Sequence, residues 1–100
     1  MIKHIVLFRI QAYSSPIDKN KKALQIKQSF GALKTKIDEI IDYRTAINQG
    51  QNPMAYDVCI DSTFASWEAL RRYTQHPEHQ RAIAENKAIK KEKAVIDYEF

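Results

Sequence analysis

Residues 2–10 read IKHIVLFRI. In a strand, successive side chains point to opposite sides of the sheet. That puts Ile2, His4, Val6 and Phe8 on one side and Lys3, Ile5, Leu7 and Arg9 on the other. The middle of each side is apolar. Such a strand must be covered on both faces, and a chain of 100 residues builds only a modest core with which to do so. Every further reading has to supply two covers.

The first cover is easy to find. SSPID opens a helix, with Ser15 as the cap, Pro16 in the first position and Asp18 near the positive end of the dipole. Ala23, Ile26, Phe30, Leu33 and Ile37 follow at spacings of three and four, a single helical stripe that Gly31 weakens slightly. IDYRTAIN, 41–48, is a second strand, and QGQNP, 49–53, is a turn. YDVCIDSTF, 56–64, is a third strand with Tyr56, Val58, Ile60, Ser62 and Phe64 on one face. SWEALRRYTQ is a helix capped by Ser66, with Trp67, Leu70 and Tyr73 or Thr74 turned inward. Pro77 ends it and starts another, and KAVIDYEF closes the chain as strand four.

The order is β-α-β-β-α-β, an α+β ferredoxin-like unit in which helices cover one face of a four-stranded antiparallel sheet. No repeat or linker divides it, so residues 1–100 are read as one domain. The other face carries Ile5, Leu7 and Cys59, with Asp57 and Asp61 alternating beside them and needing partners such as Arg9 or Arg44. Two such faces joined across a two-fold axis cover each other. Burying each Ile or Leu contributes roughly 1.5–3 kcal/mol, so the expected partner is a second copy of the chain.

Composition narrows the classes. The net charge of +4 invites a nucleic-acid reading, but the lysines interleave with Asp18, Asp38, Glu39, Glu85 and Glu92 in the manner of solvated helix faces. The start is too short and too interrupted by Lys3, His4 and Arg9 for a signal peptide, and no run reaches membrane-spanning length. Cys59 is the only cysteine, which excludes an internal disulfide and suits a reducing, cytoplasmic setting. No glycine-rich phosphate loop and no flavin or haem signature is present, so no cofactor is expected.

MIKHIVLFRI at the start, YDVCIDSTFASWEALRRYTQHPEHQ in the middle and VIDYEF at the end together resemble the stress-responsive A/B barrel (Dabb) family. The opening strand with His4, the run from Phe64 to His79 and the closing DYE are its most specific pieces. The resemblance implies the same ferredoxin-like unit, dimerised through its sheets. One departure lies at Asp38-Glu39, where many members carry a Pro-Gly pair, so the entry to strand two is poorly defined. The family is functionally mixed: some members are known for stress association, and at least one is a plant polyketide cyclase that closes an aromatic ring by aldol condensation. Carried over from that cyclase branch, His79 is a general base, Tyr73 holds or polarises the substrate, and His4 supports them from strand one. His76 matches the other histidine of that segment.

The chemistry is reasonable on its own terms. An imidazole titrates near neutrality and can take a proton from an activated carbon, while a phenol donates to a developing enolate. A cleft between sheet and helices lined by Val6, Phe8, Phe30, Val58 and Ile60, with His76 at its edge, would suit a small apolar or polyketide-like ligand. The plainer reading makes His76 a helix-junction cap, Tyr73 a core aromatic with one hydrogen bond, and His79 and His4 satisfied structural residues. Metal binding is weak, because the proline between His76 and His79 spoils a one-face helical ligand pair and no third ligand is evident. The expected function is therefore a small-molecule-binding or stress-associated module, because one shared motif does not prove catalysis; the alternative is a cofactor-independent cyclase or isomerase.

Overall fold

The structure, a computed structural model, describes residues 1–100. Strand β1 (Ile2–Ile10) is followed by helix α1 (Pro16–Gly31), a 3-10 turn (Ala32–Thr35), β2 (Asp42–Ile47), β3 (Val58–Phe64), α2 (Trp67–Gln75), α3 (Pro77–Glu85) and β4 (Lys91–Glu99). The strands form one antiparallel sheet in the order β2-β3-β1-β4. The ferredoxin-like expectation holds, with α2 and α3 sharing the place of its second helix.

Alternation in β1 follows the sequence closely. Ile2, His4, Val6, Phe8 and Ile10 are buried under the helices, and the residues between them are half-buried. The α1 stripe of Ala23, Ile26 and Phe30 closes over this face, and Leu33 and Ile37 extend it. The regular helix stops at Gly31, six residues short of that stripe's end, and a tighter 3-10 turn carries Leu33 inward. Ser15 caps α1 as expected, its Oγ accepting from the Asp18 N–H at 3.1 Å.

Three placements differ from the sequence reading. Strand β3 begins at Val58, so alternation does not reach Tyr56 or Asp57. Tyr56 instead packs under Arg9, whose guanidinium lies 4.3 Å from its ring centroid, and donates to Glu92 at 2.8 Å. Asp57 turns away from the open face: its carboxylate accepts from the buried Ile10 N–H at 2.7 Å and pairs with Lys19 of α1 at 3.0 Å. Asp61 does lie on the open face, where its partner is Lys3 at 3.0 Å. Trp67 is 48% exposed and donates to Glu99 at 2.7 Å, because the first turn of α2 overhangs the end of the core. The inward face of α2 is Ala69, Leu70 and Tyr73.

The Asp57 carboxylate makes a testable link between β1, β3 and α1. Replacing it with alanine strands the Ile10 N–H in a buried position, which costs about 1–3 kcal/mol. Chemical denaturation of Asp57→Ala is expected to show that loss with an unchanged slope against denaturant.

The face away from the helices has no cover within the chain. Ile5 and Leu7 are half-buried at its centre, and Ile96 and Phe100 are 59% and 62% exposed. No helix is long and apolar enough to cross a membrane.

Candidate active site

The decapeptide RRYTQHPEHQ builds the site through a break between two helices. Ser66 starts α2, its Oγ accepting from the Ala69 N–H at 3.1 Å. Pro77 pushes the preceding residue into an extended conformation, and His76 adopts φ −65° and ψ 137°. The same proline, with its fixed φ and missing N–H, suits the first turn of α3. His76 caps that turn: its Nδ1 accepts from the Glu78 N–H at 3.1 Å. The His76 side chain is thereby committed to the junction and lies outside the cavity described next.

His79 sits one turn into α3 and points towards the sheet, only 9% exposed. Its ring centroid is 4.5 Å from that of Tyr73 and 6.1 Å from that of Phe30. His4 reaches the same place from β1, 6.1 Å from Tyr73 between centroids. The three polar rings border one cavity of about 180 Å³, whose apolar walls are Val6, Phe8, Phe30 and Ile60. Val58, named from sequence as a lining residue, is instead fully buried in the core, opposite Phe8 in the ladder. Thr74, Ile83, Asn86, Lys91 and Lys93 complete the lining. Of these five only Thr74 was named from sequence, as an alternative to Tyr73 on the inward face of α2. The signal for the lysines was present: extending the alternation of strand four back two residues puts Lys91 and Lys93 on the helix side.

Hydrogen bonding sets the protonation of His79. Its Nδ1 lies 3.1 Å from the Thr74 carbonyl oxygen. A carbonyl only accepts, so Nδ1 carries the proton. Burial holds the imidazole at a pKa of about 4, outweighing the Thr74 bond, and the nearby Lys93, His4 and His76 act in the same direction as burial. The ring is therefore neutral near pH 7, and Nε2 is left with a free lone pair.

A stability effect follows from that shift. Between the ordinary imidazole value of 6.5 and about 4, the unfolded chain binds a proton that the folded chain does not. Stability is then full above pH 6.5 and declines as pH falls through that window. Thermal unfolding followed across it is expected to show a falling midpoint in the wild type. In His79→Gln the dependence should be visibly flatter.

Tyr73 is 1% exposed, and its hydroxyl is 2.9 Å from that of Tyr43 on β2. Burial raises both phenols, Tyr73 to about 12, so both stay protonated. The Tyr43 hydroxyl has no other hydrogen-bond partner, and Tyr43 does not border the cavity. Its proton is best used on the Tyr73 oxygen, which leaves the Tyr73 O–H free to donate elsewhere. His4 is held by its cross-strand neighbour: Nδ1 contacts the Asp97 carboxylate, directly opposite in the β1–β4 register. Together these contacts make a neutral base and a phenol donor beside each other in a mostly apolar space, the arrangement needed to remove a proton next to a carbonyl.

Metal ligation does not fit the arrangement, since His76 and His79 face different surroundings. No group of three His, Cys, Asp or Glu side chains is placed to share an ion.

Comparison with known proteins agrees with this architecture. Over its whole length the chain is 33% identical to an uncharacterised protein of Streptomyces coelicolor, covering all of that protein. It superposes with a TM-score of 0.85 on a dimeric ferredoxin-like protein of unknown function from Bacteroides fragilis, at 30% identity, covering 99% of this chain and 95% of that one. A hydroxynitrile lyase from Passiflora edulis shares the fold at a TM-score of 0.75 and 20% identity, with 97% and 90% of the two chains covered. The family model described as Stress responsive A/B Barrel Domain matches residues 2–100, and the chain belongs to that family.

Proposed function

We propose that the protein acts as a homodimer joined through its open sheet faces. In each subunit the cavity takes up a small, largely apolar carbonyl compound and shifts a proton on it. His79 Nε2 accepts the proton from the carbon next to the carbonyl, the Tyr73 hydroxyl donates to the oxygen as it gains charge, and His4 with Asp97 fixes the far wall. The imidazolium then returns the proton to carbon or to the oxygen, so the step needs no cofactor.

One observation carries this reading: His79, Tyr73 and His4 border a single cavity from three separate elements. Apolar Ile5, Leu7 and Ile96 on the uncovered face support the dimer, as does the dimeric state of the Bacteroides fragilis relative. The hydroxynitrile lyase from Passiflora edulis is an enzyme with this fold, which is compatible with a catalytic role.

Deuterium uptake into small aryl ketones such as phenylacetone, followed by proton NMR in heavy water, tests the reading. Uptake faster than the buffer rate, saturating with ketone, is expected. A second reading, binding without turnover, draws on the low basicity that burial gives His79. It predicts saturable ketone binding with uptake at the buffer rate.

A further inference from the structure

The charges around the cavity are one-sided. Its lining includes Lys91 and Lys93 and no Asp or Glu. Both lysines stand on the helix side of β4, two residues apart, opposite Ile10 and Phe8 of β1. Neither forms an ion pair. Lys91 Nζ donates to the neutral carbonyls of Asn86 at 2.8 Å and Ile89 at 3.3 Å, which leaves its charge uncompensated and one of its three donors unused. It also lies 5.8 Å from the Phe8 ring centroid, at the edge of the apolar wall. The Lys93 ammonium has no hydrogen-bond partner within the chain, and the residue is exposed. Burial and then the neighbouring Lys93 hold Lys91 below the ordinary lysine range, as two unneutralised cations at close quarters should. Two carboxylates of the same strand are otherwise engaged, Asp97 with His4 and Glu92 with Tyr56.

Size limits what else the site holds. A dry cavity of about 150 Å³ accommodates benzene, and this one is about 180 Å³. We infer that the ligand is an amphipathic carboxylate, with a body of about one ring seated against Phe8 and Phe30 and its anionic group held at the mouth by Lys91 and Lys93. The inference rests on the cavity being the ligand site, as proposed above, and narrows its substrate to carbonyl compounds that carry an acid, such as aryl keto acids.

The test compares phenylacetate with its uncharged isostere phenylacetamide, by calorimetry and by amide chemical shifts at low ionic strength. The wild type is expected to bind the acid about tenfold more tightly than the amide. That preference should shrink to less than about threefold in Lys91→Gln/Lys93→Gln and in about 0.5 M salt, where screening is strong. Lys93→Gln alone removes an exposed group without touching the Lys91 hydrogen bonds, and should lower the preference by about threefold with the amide spectrum otherwise unchanged. Equal affinity for acid and amide would overturn the anion preference while keeping the cavity as a binding site. An acid preference that survives both lysine substitutions would overturn the assignment to this mouth. Failure of either compound to perturb cavity residues would overturn both this inference and the functional reading beneath it.

Discussion

His79→Gln is expected to slow deuterium uptake by a bound ketone by about 10²–10⁴-fold, the usual contribution of a positioned general base, while ketone affinity changes little. Glutamine is close in size, and its amide N–H can still donate to the Thr74 carbonyl that now holds Nδ1. What it lacks is a basic lone pair, so the comparison isolates proton transfer from packing. Tyr73→Phe removes a donor rather than a base. Its expected loss is about 10²–10³-fold, the range for one donor to a developing oxyanion, and it also deprives the Tyr43 hydroxyl of its only acceptor. Uptake unchanged in both variants would leave the rings as core residues that happen to border a cavity.

Ile5→Asp/Leu7→Asp is expected to turn a dimer into a folded monomer. Each apolar side chain contributes roughly 1.5–3 kcal/mol on burial, and a two-fold interface counts each residue twice. Both side chains are already half-buried in the subunit, so two positions per subunit remove on the order of 3–6 kcal/mol, before the cost of desolvating four new carboxylates. Both positions face away from the helices, so the subunit core of Val6, Phe8 and Ile60 stays intact. Sedimentation equilibrium at micromolar concentration should give a dimer for the wild type and a monomer for the variant, with unchanged far-ultraviolet dichroism. A wild-type monomer would contradict the pairing of the open faces.

The strands and helices that cross the core were legible because burial repeats with a fixed period. Ile2, Val6 and Phe8 at period two, and Ala23, Ile26 and Phe30 at helical spacing, need no tertiary information to be assigned. Errors fell where a local device overrides the period. Asp57 was placed on the open face by alternation, but an unpaired Ile10 N–H draws its carboxylate to the other side. Trp67 is at a core spacing yet extends past the sheet's end, where Glu99 supplies a partner.

The site was half legible. His4, Tyr73 and His79 were nameable from one motif and one strand, and the structure brings them together. The roles of Tyr43 and Asp97 were not readable, since each depends on a pairing between elements far apart in the chain. Lys91 and Lys93 were missed for a different reason: the lysine-rich stretch reads as a solvated helix face, although alternation carried back along β4 puts both on the helix side.

The protonation of His79 is the most direct point of attack. Long-range nitrogen–proton correlation NMR on labelled protein reports both tautomer and titration for each imidazole. His79 should appear as a neutral ring with its proton on Nδ1, unchanged from pH 8 down to about 5 and titrating only near 4. A ring that titrates at the ordinary 6.5, or one carrying its proton on Nε2 at neutral pH, would mean that no free basic nitrogen faces a ligand there.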